Sequence, residues 1–172
     1  DYLKGFEDGL GEKAKSMIVA RATYEPTDST VDSQVLALRA SGADVFFNIS
    51  VTKFAVQTIK KVAEIGWKPL HLLCFNSASV GAVLTPAGLD NATGIISTSY
   101  WKDPVDPQYQ NDKEWQDYRA WLNKYLPGAD IKDSLYLYGY IAAPALVQVL
   151  KQAGDNLTRA NIMKEAANLD MR

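Results

Sequence analysis

The chain has 172 residues, 47% hydrophobic and 22% charged, the balance of a folded globular protein and not of a disordered segment. Its 18 basic and 20 acidic residues nearly cancel to −2, so no basic surface argues for nucleic acid, and no polybasic or lipidation signal argues for a membrane surface. Apolar runs fall short of a membrane span, and a single cysteine excludes an internal disulfide.

The opening stretch DYLKGFEDGLGEK shows a helical pattern (Tyr2, Leu3, Phe6, Leu10) that is expected to stop at Gly9 or Gly11. It lacks an initiator Met, a basic leader and an apolar targeting core, and reads as the start of a piece cut from something longer. SMIVARATY (16–24) is rich in apolar and β-branched residues and predicts a strand. EPTDST then predicts a turn, with Asp28 or Ser29 as N-cap of a helix that carries Val31, Val35, Leu36 and Leu38 and stops at Gly42. The short continuous apolar run ADVFFNIS (43–50) predicts a strand buried on both faces. From Thr52 to Ile65, Ala55, Ile59 and Val62 form one helical stripe, ended by Gly66 with Pro69 beyond it. LHLLCF then predicts a third strand and GIISTSY (94–100) a fourth. This alternation, with crossovers of about twenty residues, is that of parallel βαβ units, and a doubly wound open sheet is the simplest topology.

The composition changes after Tyr100. WKDPVDPQYQND, with two prolines and three aspartates, predicts a linker, and the remainder is helical. Trp115, Tyr118, Leu122 and Tyr125 form an amphipathic face. SLYLYGYIAAPALVQVLKQAG predicts a long apolar helix capped by Ser134 and kinked or split by Pro144, and LTRANIMKEAANL a further helix capped by Thr158. Three apolar helices without a sheet have more hydrophobic surface than they can hide. They are expected to pack on a second sheet that this chain lacks, supplied by a missing lobe or another copy.

His71 and Cys74 are the chain's only histidine and cysteine, three residues apart in PLHLLCFNSAS. On a strand that spacing points them to opposite faces, so they do not make a nucleophile–base pair. One histidine also rules out a His-based metal cluster and a triad built on another histidine. Both residues read as structural. GFEDGLG lacks dinucleotide spacing, and neither GxGxxG nor a P-loop occurs, so no cofactor and no metal are expected. NIS, NAT and NLT match the glycosylation acceptor pattern and read as chance, because NIS closes an apolar strand.

An open α/β sheet binds its ligands at the carboxyl ends of its strands. Those ends here are TYE (23–25), NISVT (48–52), FNSAS (75–79) and STSYW (97–101), rich in hydroxyls, amides and rings. Asn76, Ser77 and Ser79 offer hydrogen bonds there, and the amides opening the next helix offer a place for an anion. Ser and Asn after a strand serve equally as ordinary N-caps.

EPTDSTVDSQVLALRASGADVFFN, IKKVAEIGWKP, GLDNATGIISTSYWKDPVDP and YGYIAAPALVQVLKQAGDNLTRANIMKEAANLDM, in this order, resemble the type I periplasmic binding proteins across essentially the whole chain. These are the substrate-capture subunits of ABC importers of the branched-chain amino-acid type. No single motif is unique to them; the succession is what makes the resemblance specific. It implies an α/β fold of two lobes, each a Rossmann-like open parallel sheet, joined by three crossing strands with the ligand between. By this resemblance residues 1–98 are most of the second lobe, 99–106 a hinge crossing, and 107–172 helices of the first lobe, whose sheet is missing from this chain.

The resemblance further implies a periplasmic, non-enzymatic protein without cofactor that closes on a small-molecule solute and is read by a membrane permease. In amino-acid binders of this family an acidic residue ending the strand that matches 70–76 holds the ligand ammonium. Asn76 stands at that position, and a neutral amide pairs poorly with a buried ammonium. A small carboxylate without an ammonium, such as an aromatic acid, is therefore expected beside the branched-chain amino acids of the family. Ser50 and Val51 match a ligand-facing segment, and Tyr100 and Trp101 flank the hinge, either stacking on ligand or packing the hinge. Two rival readings are a ligand-sensing or regulatory module on the same fold and an α/β enzyme. For the enzyme, the strand ends offer only Glu25 and hydroxyls.

Overall fold

The computed structural model describes residues 2–171, which divide into two compact units at Asp103–Pro104. The first unit is α/β. Helix α1 (Tyr2–Leu10) runs through Gly9 and ends at Gly11, whose φ of 57° lies where glycine alone is unstrained. A 3-10 turn (Gly11–Lys13) and the single-turn α2 (Ala14–Met17) follow. Next come α3 (Asp32–Ala40), β1 (Val45–Asn48), α4 (Thr52–Glu64), β2 (Leu70–Leu73), the short α5 (Thr85–Ala87) and α6 (Leu89–Ala92), and β3 (Ile96–Ser97).

The three strands form one parallel sheet in the order β1-β2-β3, with Val45 opposite Leu70 and Leu72 opposite Ile96. Phe46 and Asn48 on β1 and His71 and Leu73 on β2 are buried, as the period-2 alternation of strands requires. Helix α4 presents Phe54, Ala55, Thr58, Ile59 and Val62 to the interior. Phe54 and Val62 join Val31, Val35 and Phe46 in one core cluster; Ala55 and Ile59 join Leu73, Val83 and Ala87 in a second. Each large side chain so buried contributes about 2 kcal/mol. On the other face of β1, Phe47 lies against α1, its ring 4.9 Å from that of Phe6 and 6.5 Å from that of Tyr2.

Several sequence expectations are corrected here. Residues 16–24 form no strand: the chain is helical to Met17, and Ile18–Tyr24 makes no ladder with β1. Side chains anchor the segment instead. Gln34 Nε2 donates to the Thr23 carbonyl at 3.2 Å, Tyr24 stacks on Phe54 at 4.4 Å, and Arg21 pairs with Glu7. Between this segment, α3 and the outer edge of β1 lies a cavity of about 700 Å³. The fourth expected strand shrinks to Ile96–Ser97, because β2 ends at Leu73 and the chain there turns into a 3-10 turn over Phe75–Ser77. Beyond Ser97 no neighbour remains to pair with. Neither Asp28 nor Ser29 caps α3: the helix starts after Val31 with no side-chain cap bond, Thr30 Oγ1 accepts from the Asp32 N–H at 3.2 Å, and Asp28 closes the preceding turn by accepting from the Glu25 N–H.

The second unit holds a 3-10 turn (Pro107–Tyr109), α7 (Lys113–Tyr125), α8 (Ser134–Ala153) and α9 (Arg159–Ala167). Trp115, Tyr118 and Leu122 are the buried face of α7. Asp133, not Ser134, caps α8 by accepting from the Leu135 N–H at 3.0 Å, and Thr158 caps α9. Helix α8 runs unbroken through Pro144, which leaves the Tyr140 carbonyl without its helical donor. Leu135, Tyr138, Leu146 and Leu150 recur along one side of α8 and are all exposed.

Candidate functional site

The carboxyl ends of β1 and β2 meet at two turns, Ile49–Val51 before α4 and Cys74–Ala78 after β2, and hydrogen bonds tie these turns together. Ser77 is fully buried, and its hydroxyl donates to the Ser50 carbonyl at 2.5 Å. The Cys74 thiol points at the same carbonyl at 3.6 Å. The Ser50 N–H donates to Asn48 Oδ1 at 3.1 Å, and the Ser50 hydroxyl donates to that same oxygen. The Val51 N–H donates to the Tyr24 hydroxyl at 2.9 Å, and the Val51 carbonyl accepts the first α4 bonds from Phe54 and Ala55. The polar backbone groups of Ser50 and Val51 are thus committed inside the protein, and the group this turn offers outward is the exposed Val51 side chain.

The residues expected to meet a ligand therefore fall into two sets. Ser50, Ser77 and Ser79 are buried, and Ser79 accepts from the Ala82 N–H at 3.2 Å, capping a π turn over Val80–Leu84. Val51, Asn76 and Tyr100 are exposed and Trp101 partly so. Tyr100 and Trp101 pack on Phe75, with centroids 4.5 and 4.4 Å away, and on each other at 4.8 Å. Asn76 follows Phe75 directly, and its Oδ1 accepts from the Tyr2 hydroxyl at 3.5 Å. The result is an aromatic surface with a neutral amide beside it. A shallow apolar hollow of about 450 Å³, lined by Tyr2, Gly5, Phe6 and Phe47, adjoins Tyr2.

His71 and Cys74 do not act on one another, but both reach the Ser50 turn, His71 by way of Asn48. Burial drives the His71 pKa down to about 4, so the ring is neutral at ordinary pH, and burial pushes the Cys74 thiol up, away from thiolate. Neither is equipped as a nucleophile or general base. Among the described residues no His, Cys, Asp and Glu cluster forms a metal site. Asn48 is 3% exposed, which leaves no room for a glycan at NIS. Asn48 and Phe75 lie within the strand ends marked by the sequence without being singled out there, and Tyr2 lies outside those ends. An asparagine inside an apolar strand was the available signal for the first, since a buried amide needs partners; nothing local pointed to Tyr2.

A family model described as Periplasmic binding protein matches residues 2–172. The chain belongs to this family. Its parallel sheet with flanking helices agrees with the type I fold of such proteins. Relatives named "Leu/Ile/Val-binding protein homolog 8" occur in Brucella abortus (strain 2308), Brucella suis biovar 1 (strain 1330) and Brucella melitensis biotype 1. Each is 24% identical over 168 residues, which is 97% of this chain and 41% of the relative. The chain thus spans about two fifths of the length of these relatives. No solved structure matches. Among the described residues no helix is long and apolar enough to cross a membrane.

Proposed function

We propose that this periplasmic binding protein captures a small carboxylate with an apolar or aromatic body, outside the cytoplasm, for delivery to the permease of an ABC importer. The observation that carries the ligand class is the surface at Asn76. A neutral amide follows Phe75, on whose ring Tyr100 and Trp101 pack, and Val51 offers an apolar contact from the neighbouring turn. Rings and a valine suit an apolar body, and the amide N–H suits a carboxylate oxygen. An ammonium would find no carboxylate partner in this set, and its desolvation would go unrepaid. Leucine, isoleucine and valine, named for the relatives, are the competing ligands.

Capture proceeds by closure about a hinge near residues 99–106, with ligand contacts favouring the closed state. The helices in 107–172 belong, in this reading, to the opposite lobe, and the exposed stripe of α8 lies against that lobe's sheet. No acid, base or activated nucleophile is assembled at the strand ends, which supports binding over catalysis. Calorimetric titration of the protein at full length with benzoate and with leucine tests the ligand class. Benzoate binding with weak or no leucine binding is expected; tight leucine binding overturns the aromatic-acid reading and leaves the amino-acid one.

A further inference from the structure

Four buried polar residues, Asn48, Ser50, His71 and Ser77, form a contiguous chain beneath the strand ends, and three are less than 6% exposed. The chain has a direction that its hydrogen bonds impose. A backbone N–H only donates, so the Ser50 N–H, 3.1 Å from Asn48 Oδ1, fixes which end of the Asn48 amide is oxygen. The amide nitrogen is then left facing His71, with Nδ2 3.3 Å from Nε2. An amide nitrogen also only donates. Nε2 must therefore be bare and accept, and the ring proton must sit on Nδ1. The imidazole is held by the Phe46 ring, 4.8 Å away, and sits on β2 diagonally across from Asn48. The far end of the chain is the Ser50 carbonyl, taken up by Ser77.

We propose that His71 is a positioning residue: its bare Nε2 orients the Asn48 amide, which in turn holds the Ser50–Val51 turn in the conformation that presents Val51 at the ligand-facing edge. Among the described residues, His71 Nε2 is the acceptor placed within reach of Asn48 Nδ2. An apolar residue at 71 strands the Asn48 NH2 in the core, and the amide then turns or the strand end opens to water. Either change releases the Ser50 N–H and with it the start of α4. Only the description of the edge as ligand-facing rests on the solute-binding reading; the control of the turn does not.

The test is made on the full chain without ligand. Nitrogen chemical shifts of His71 at pH 7 are expected to show the Nδ1–H tautomer; an Nε2–H tautomer overturns the proposal. Amide exchange at Ser50 is then compared in the unmodified chain, in His71→Gln, whose side-chain carbonyl restores an acceptor, and in His71→Leu, which does not. Exchange is expected to be at least about tenfold faster in His71→Leu alone, the loss of one closed state in favour of open ones. Equal rates in all three overturn the proposal. If His71→Leu does not fold, Asn48→Asp decides: it keeps the Ser50 acceptor but turns an oxygen toward His71, so Nε2 must gain a proton. An Nε2 still bare in Asn48→Asp overturns the proposal. Titration of the same proteins with benzoate and leucine separates the two readings, because an absence of binding throughout sinks solute capture and leaves the exchange rates to decide this one.

Discussion

The hydroxyl of Ser77 donates to the main-chain carbonyl of Ser50 at 2.5 Å, and both residues are buried. One short bond thus joins the turn after β2 to the turn before α4. Among the described residues, Ser77→Ala leaves that carbonyl with the weak Cys74 thiol as donor. A loss of about 1–3 kcal/mol is expected in urea unfolding, the cost of an under-satisfied buried acceptor. A loss below a few tenths of a kcal/mol would mean that the two turns are held by packing alone.

Asn76 is the exposed amide of the site. If its neutral amide selects against an ammonium, Asn76→Asp should reverse the preference: benzoate affinity should fall at least about tenfold and leucine affinity should rise. Parallel calorimetric titrations measure both. Unchanged ratios would remove residue 76 from ligand selection.

The buried imidazole makes stability depend on pH. In the folded chain His71 resists protonation until about pH 4, whereas in the unfolded chain it takes a proton near its ordinary value of 6.5. The unfolded state therefore binds more protons between those values. Stability from this group is full above about pH 6.5 and declines as pH falls through about 4, by up to about 3 kcal/mol. His71→Gln should lose this part of the pH dependence, which unfolding midpoints between pH 7 and 4 will show.

Tyr118 in α7 is almost wholly buried, and among the described residues its hydroxyl has no hydrogen-bond partner. Burial, with Asp133 and Tyr136 adding to it, pushes its pKa up to about 12. Tyr118→Phe removes a desolvated hydroxyl that gains nothing in return. The variant is expected to match or exceed the parent by up to about 1 kcal/mol in thermal unfolding. A clear loss would reveal a partner for the hydroxyl.

The exposed stripe of α8, Leu135, Tyr138, Leu146 and Leu150, is expected to drive self-association of this chain as it stands. Sedimentation across a concentration series should show larger species, and Leu146→Glu should shift them toward monomer. A monomer at all concentrations in the parent would contradict this.

Elements whose stabilisation is local were legible. The stripe of Ala55, Ile59 and Val62 marks α4, and the runs VFFN and LHLL mark strands, because a 3.6 or 2.0 period is a property of neighbouring residues. The segment 16–24 has strand composition and yet forms none, since a strand exists only when a partner edge is presented in register. Capping failed in the same way: α3 starts after Val31 with no side-chain cap, and Asp133 caps α8 one residue before the expected Ser134, differences that hydrogen-bond geometry decides and residue type does not.

The site divides along the same line. From residue types alone, the strand ends were hydroxyl-rich and every hydroxyl was a candidate. Packing then turned Ser50, Ser77 and Ser79 inward, because buried turns must satisfy their own amides and carbonyls first, and it left Val51, Asn76 and Tyr100 outside. The sequence by itself determined an α/β chain of near-zero charge, a family, and a histidine and cysteine unable to serve as a catalytic pair. Tertiary structure decided that both nonetheless reach one carbonyl turn, a relation between residues more than twenty positions apart that only the parallel pairing of β1 with β2 creates.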